Sequence, residues 1–190
     1  MNNILFLDFD GPLFSDRVIN HHPDNDESNQ YLIDKCIEHG DTFGAKCLSY
    51  WKMDPVAVGM LNKLMELKPF KTVVSSTWRE LFGRLSIEEL FVINNLKLEL
   101  HDEQWCTPLG EKRMYGYSGD RLHQIWEWIE GRKDEILDYV ILDDPSSGGN
   151  LSSDGMVASS GLRVRNVILV DPNIGIEHWH YNRMKDILTA

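Results

Sequence analysis

The sequence predicts an α/β fold, a three-layer doubly wound parallel sheet, and three observations carry that prediction. Four short runs are apolar or nearly so: Ile4 to Leu7, Thr72 to Val74, Val140 to Leu142 and Val167 to Val170. Unbroken rather than alternating apolarity is what a strand covered on both faces requires. Helix-period segments separate the runs, and strands alternating with helices build a parallel sheet through right-handed crossovers. Finally, the first three runs end in carboxylates or hydroxyls, as strands do when their carboxyl ends line a ligand crevice.

Taken in order, the first strand leads through Asp8-Phe9-Asp10-Gly11 into a segment, Ser15 to Asp54, without a sheet-like core. It opens on the polar run Asn20-His21-His22-Pro23-Asp24-Asn25-Asp26-Glu27. Inserted directly after the first strand, it reads as a small cap of loop and helix above the strand ends. Val56 to Leu67 then places Val58, Leu61, Leu64, Met65 and Lys68 at helical steps, and Leu122, Ile125, Trp126 and Ile129 form a second stripe. Pro145 to Arg163 is rich in Ser and Gly and reads as a mobile loop or hairpin reaching to about residue 165. The whole chain, 1 to 190, is expected to be one domain.

Composition narrows the function. With 19 basic and 30 acidic residues the formal charge is -11, which repels polyphosphate backbones in bulk and argues against a general nucleic-acid binder. A phosphate ligand therefore needs a local cation, and a divalent metal held by carboxylates would supply one. Cys36, Cys47 and Cys106 lack CxxC spacing and form an odd set, which suits a reducing compartment rather than a disulfide framework. Met1-Asn2-Asn3 runs into the first strand without a basic and apolar leader, and no window approaches a membrane span. The chain reads as soluble and cytoplasmic.

Three motifs carry chemistry. In Asp8-Phe9-Asp10-Gly11 two carboxylates lie two residues apart at a strand end, followed by a glycine that permits a sharp turn. Acidic residues also end strands as solvated turns, so this motif alone is weak. Val73-Val74-Ser75-Ser76-Thr77-Trp78-Arg79 ends a strand in three hydroxyls and an arginine, suited to phosphoryl oxygens or equally to capping a helix. In Ile141-Leu142-Asp143-Asp144-Pro145 adjacent buried acids repel unless a cation stabilises them. Magnesium, which takes hard oxygen ligands and keeps several waters, would be such a cation.

In this order and at these strand ends, the three motifs resemble the haloacid dehalogenase-like (HAD) superfamily from Ile4 to about Val170. More narrowly, Ser75-Ser76-Thr77-Trp78-Arg79, the helix Arg121 to Ile129 with Ile125 and Trp128, Leu142-Asp143-Asp144 and Val170-Asp171-Pro172-Asn173-Ile174-Gly175 look like the phosphatase-type domain associated with nucleic-acid (RNA) repair proteins. The resemblance implies a Rossmann-like core and a Mg²⁺-dependent phosphomonoester hydrolase. Asp8 would be the nucleophile, forming an aspartyl-phosphate, and Asp10 the general acid and base. Asp8, Asp10 (through its carbonyl) and Asp144 would hold the metal, with Asp143 beside them. Ser75 would orient the phosphoryl group, with Ser76 as its neighbour. The cation beside the nucleophile is Arg121 by preference, with Lys112 second and Arg113 adjoining it.

Thr77, Trp78 and Arg79 follow as candidate substrate contacts, the last two able to stack a base or hold a second phosphate. His178 and His180 read as surface or packing residues, and His21 and His22 as loop residues. Trp51, Trp78, Trp105, Trp126 and Trp128 read mostly as core, Trp78 being also a candidate substrate contact, and Asp171 reads as added charge near the site or a cap to a turn. Expected partners are small phosphorylated substrates, a nucleotide or a nucleic-acid terminus, and no membrane. Two other classes remain open: a silent metal- or phosphate-binding interaction domain, and a receiver-like phospho-aspartate switch.

Overall fold

The structure is a computed structural model that describes residues 1–19, 52–80, 82–109, 111–113, 116–118, 121–145, 157 and 160–189. Its centre is a five-stranded parallel sheet of β1 (Asn2–Leu7), β2 (Lys71–Val74), β3 (Glu99–Leu100), β6 (Ile136–Asp143) and β7 (Val167–Leu169), ordered β3-β2-β1-β6-β7. β4 (Glu111–Arg113) and β5 (Gly116–Ser118) form a separate antiparallel pair. The chain steps outward from β1 to β2 and β3, then returns to the other side of β1 for β6 and β7. The reversal puts a topological switch point between β1 and β6, where open α/β sheets bind ligands beyond their carboxyl ends. A receiver-like switch has its first strand second from the edge. Here β1 is central, which removes that alternative.

Both faces of the sheet are covered, and the expected unbroken apolarity is spent on the two sides in turn. Leu5, Leu7, Val74, Val140 and Leu142 join one core cluster; Ile4, Phe6, Val73, Tyr139 and Ile141 join the other. After the short helix α1 (Asp16–Ile19), helices α2 (Pro55–Leu67), α3 (Arg84–Ile93) and α5 (His178–Leu188) cover the first face through Leu61, Leu64, Ile87, Leu90 and Met184. Helix α4 (Arg121–Glu130) covers the second through Leu122, Ile125 and Trp128. The inward stripe thus turns on Trp128 rather than Trp126, which is half-buried. Trp128 meets Phe6 edge-on at 5.3 Å, anchoring α4 across the middle of β1.

Two elements lie outside the expected pattern. β3 is an edge strand of two residues, too short for a periodic signal. In α3 the exposed Leu85 and Val92 break the apolar stripe formed by Ile87, Leu90 and Phe91. Part of the segment expected as a mobile loop is anchored: Val157 and Leu162 are buried in the second core cluster, and Gly161, with φ of 86°, packs against Trp126. A 3-10 turn at Val164–Asn166 then leads into β7.

Residues 20–51, with His21, His22 and Trp51, lie outside the described residues, but the two ends of the insertion are tied together. The Asp54 amide donates to the Leu13 carbonyl at 2.7 Å. The Asp54 carboxylate, 1% exposed, accepts from Ser15 Oγ and from Arg17, and caps α2 by accepting from the Val56 amide. Gly175, with φ of 78°, closes this knot, since a Cβ there would meet Ser15 Cβ at 2.9 Å. The turn read from Pro172-Asn173-Ile174-Gly175 is present, and the Pro172 carbonyl accepts from the Asp16 amide at 2.9 Å.

Asp54→Ala removes a helix cap and strands buried donors, so it is expected to cost about 2 kcal/mol. Asp54→Asn, which keeps an oxygen acceptor, should cost less. Urea midpoints compare the two, and an unaltered midpoint in the alanine variant would show that the knot contributes no stability.

Candidate active site

Strand register brings the three motifs together. Leu7 pairs with Val74 on one side and with Leu142 on the other. The next residues, Asp8, Ser75 and Asp143, therefore emerge level with one another at the carboxyl edge. The Asp8 amide donates to the Leu142 carbonyl at 2.9 Å and the Ser75 amide to the Leu7 carbonyl at 3.0 Å, extending the ladders past the strand ends.

Asp8, Asp143 and Asp144 are all buried, and each offers a carboxylate oxygen within 4.8 Å of the others. Three hard oxygen donors that close together fit a small divalent cation, and bringing such acids together without one is costly. Gly11 completes the cluster by chain geometry. Its φ is 85°, and a Cβ at that position would lie 2.8 Å from Asp144 Cβ. Only glycine lets the turn after β1 pass so close to Asp144.

Arg121, the first residue of α4 and 6% exposed, is the cation that reaches this cluster among the described residues. One of its terminal nitrogens lies 3.1 Å from Asp8 Oδ1 and donates to both oxygens of Asp143 at 2.9 and 2.8 Å. Burial alone would loosen the guanidinium proton, but the Asp8 and Asp143 carboxylates outweigh it and raise the pKa above the usual arginine value. Asp143 Oδ1 also accepts from the Asp144 amide at 2.9 Å. Lys112 and Arg113 stand on β4, a strand where a loop was expected, and their side chains lie outside the described residues.

The serines divide. Ser76 Oγ accepts from the Trp78 amide at 3.3 Å and so caps the 3-10 turn Thr77–Glu80. Ser75 Oγ is buried with no hydrogen-bond partner among the described residues, as a hydroxyl awaiting a ligand oxygen would be. Thr77 is exposed at the start of the turn. Sequence reading missed Thr107, whose amide donates to the Val74 carbonyl and places it beside Ser75; its hydroxyl is likewise buried and unpartnered. No periodic run surrounds Thr107 to signal a strand end.

Trp78 and Arg79 do not open outward for a base or a second phosphate; they are 8% and 7% exposed. Arg79 donates to the Ser75 and Ser76 carbonyls and to Gln124 Oε1, bracing the serine loop against the helix that carries Arg121. Trp78 Nε1 donates to the Asp10 carboxylate. His180 is buried: its Nδ1 accepts from the Glu177 amide, Nε2 meets the Leu169 carbonyl, and burial lowers its pKa, so it is a neutral helix cap. His178 stacks beside Tyr181. Asp171 accepts from Asn173, whose hydrogen bonds hold its pKa down.

Asp10 is exposed at the crevice, yet the protein packed around its carboxyl removes part of the water that would solvate its charge. Its pKa is raised to about 6, first by that partial burial and then by the Asp8 charge, with Trp78 and Arg121 pulling the other way. A carboxyl whose proton affinity is raised in this way can act as a proton donor beside a second carboxylate at the same strand end.

A family model described as the HAD domain in Swiss Army Knife RNA repair proteins matches residues 4–180. No curated protein matches the sequence. Among the described residues no helix is long and apolar enough to cross a membrane.

Two consequences follow from this geometry. An unfolded chain releases the Asp10 proton near 3.8, whereas the folded protein keeps it to about 6, so this group's contribution to stability falls as pH rises through that window. In metal-free buffer Asp10→Asn should melt above the parent at about pH 7 and converge with it near pH 4; a gap independent of pH would reject the assignment. Arg121→Ala strands two buried carboxylates and is expected to lose about 3–5 kcal/mol, with Arg121→Lys losing less. Chemical denaturation compares them, and equal midpoints for alanine and parent would contradict the buried ion pairs.

Proposed function

The chain belongs to the family of HAD domains of Swiss Army Knife RNA repair proteins, and from that membership and the crevice geometry we propose that it is a magnesium-dependent phosphomonoester hydrolase. The observation that carries the reading is the level placement of Asp8 with an orphaned Ser75 hydroxyl and the Arg121 guanidinium. That grouping supplies a nucleophile, a donor and a cation to one tetrahedral anion.

Asp8 attacks phosphorus while the bond to the leaving oxygen breaks, and Asp10 gives that oxygen its proton. Water then attacks the aspartyl-phosphate, Asp10 takes the proton back, and Asp8 is released. Splitting one displacement into two steps lowers each barrier. Ser75 and Arg121 offset the charge on the equatorial oxygens, the contribution that dominates phosphoryl transfer. Asp8, Asp144 and the Asp10 carbonyl would hold Mg²⁺, with Asp143 fixing Arg121; the bound ion would supply further charge compensation at the phosphoryl group.

The family's link to RNA repair favours a nucleotide or a nucleic-acid terminal phosphate as substrate. The net charge of -11 suits a chain end or mononucleotide better than an extended polymer. The insertion between Ser15 and Asp54, rooted beside the crevice, would serve as its cap.

Phosphate release from an aryl phosphate, nucleoside 5′- and 3′-monophosphates and phosphorylated oligoribonucleotides tests the reading, with magnesium and with chelator. Release should require the metal and fall at least about 10³-fold in Asp8→Asn. Release that survives the substitution would remove Asp8 as nucleophile. Silence across the panel would favour a binding-only domain.

A further inference from the structure

Trp78 follows directly on the serine loop, where the sequence leaves both a core place and a substrate contact open, and it is enclosed. Phe14 stacks on its ring at 4.8 Å and 9°, Phe9 meets it edge-on at 5.6 Å, and Phe82 lies at 5.4 Å. These three rings pack around the indole. Its Nε1 points at the Asp10 carboxylate, 3.1 Å from Oδ2 and 3.3 Å from Oδ1. Asp10 belongs to the turn after β1 and Trp78 to the turn after β2, so this bond spans two loops that nothing in the sequence joins.

The geometry points to Trp78 as a positioning residue that fixes the direction in which Asp10 delivers its proton. The inference rests on the phosphohydrolase reading above. An indole N–H only donates. The N–H addresses both carboxyl oxygens, so when Asp10 carries a proton, that proton is kept out of the fork the indole occupies and sits on the side of the carboxyl away from it. In the first step the Asp8 oxygen bonds to phosphorus, the phosphorus-to-leaving-oxygen bond breaks, and the Asp10 proton passes to that oxygen as its electron pair departs. Trp78 gives up no proton. It determines on which side of the carboxyl the moving proton sits, and it does so from a place packed among three aromatic rings.

A general acid matters most when the leaving oxygen is a poor leaving group, so the test varies the leaving group. Parent, Trp78→Phe, Asp10→Asn and the double variant are assayed with magnesium on 2,4-dinitrophenyl phosphate, phenyl phosphate and a nucleoside 5′-monophosphate. The quantity compared is kcat/KM, which reports the first phosphoryl transfer. Phenylalanine keeps an aromatic ring in the stack and removes the donor together with part of the indole's volume, a packing loss that would fall on every substrate alike. Trp78→Phe should lose about 10- to 100-fold on the nucleotide and on phenyl phosphate, stay within about twofold of the parent on the dinitrophenyl ester, and add nothing to Asp10→Asn. Retained turnover of the activated ester also shows that the variant is folded.

An equal loss on every substrate would assign Trp78 a packing role and overturn the inference, as would no loss on any. A parent that hydrolyses all three while Asp10→Asn shows no leaving-group selectivity would sink the general-acid role itself. A parent inactive on all three would sink the hydrolase reading and this inference together.

Discussion

The arrangement depends on one buried electrostatic contact, Arg121 set between Asp8 and Asp143. Three carboxylates at the ends of adjacent parallel strands repel one another, and burial removes the water that would screen them. A guanidinium suits this position because it stays charged when buried and can address two acids at once. Its placement is a packing problem before it is an electrostatic one. Leu122, Ile125 and Trp128 seat α4 on Phe6 and Ile141, and that seat delivers the first residue of the helix to the strand ends. Arg79, reaching from the serine loop to Gln124, ties the same helix to the loop holding Ser75.

A second constraint acts from the other side of β1. The turn through Gly11 passes so near Asp144 that any side chain would collide, and it returns Phe14 to stack on Trp78. The strands that carry Asp8, the Asp143 and Asp144 pair, and the serines are thereby held through three short loops. Asp10 stands where these loops converge, partly enclosed and within reach of an indole donor. Its raised proton affinity and its orientation share one origin, the crowding of the turn after β1.

The junction between the turn after β1 and α2 shows the same economy of position. Ser15, Arg17 and Asp54 draw the two ends of a long insertion to one point beneath the turn at Gly175. Asp54 also starts α2, so the junction that carries the insertion is the junction that restores the main alternation of strand and helix.

Much of this was legible in the chain itself. Unbroken apolar runs mark central strands because burial on both faces leaves no place for a polar residue, and four of the five sheet strands are visible that way. Carboxylates and hydroxyls stand out at the strand ends because a buried strand otherwise excludes them, so Asp8, Asp10, Ser75, Asp143 and Asp144 could be singled out one by one. β3 could not, since two residues at a sheet edge carry no period. Nor did pattern alone show that Ser76 would cap the turn that follows it, or which partners Trp78 and Arg79 would meet. Those depend on partners far away in sequence: Asp10 lies on another strand's loop and Gln124 on another layer. Local pattern encodes what each segment must bury. Which side chains then meet across the crevice is settled only when strand register and helix seating bring distant segments to within hydrogen-bonding distance.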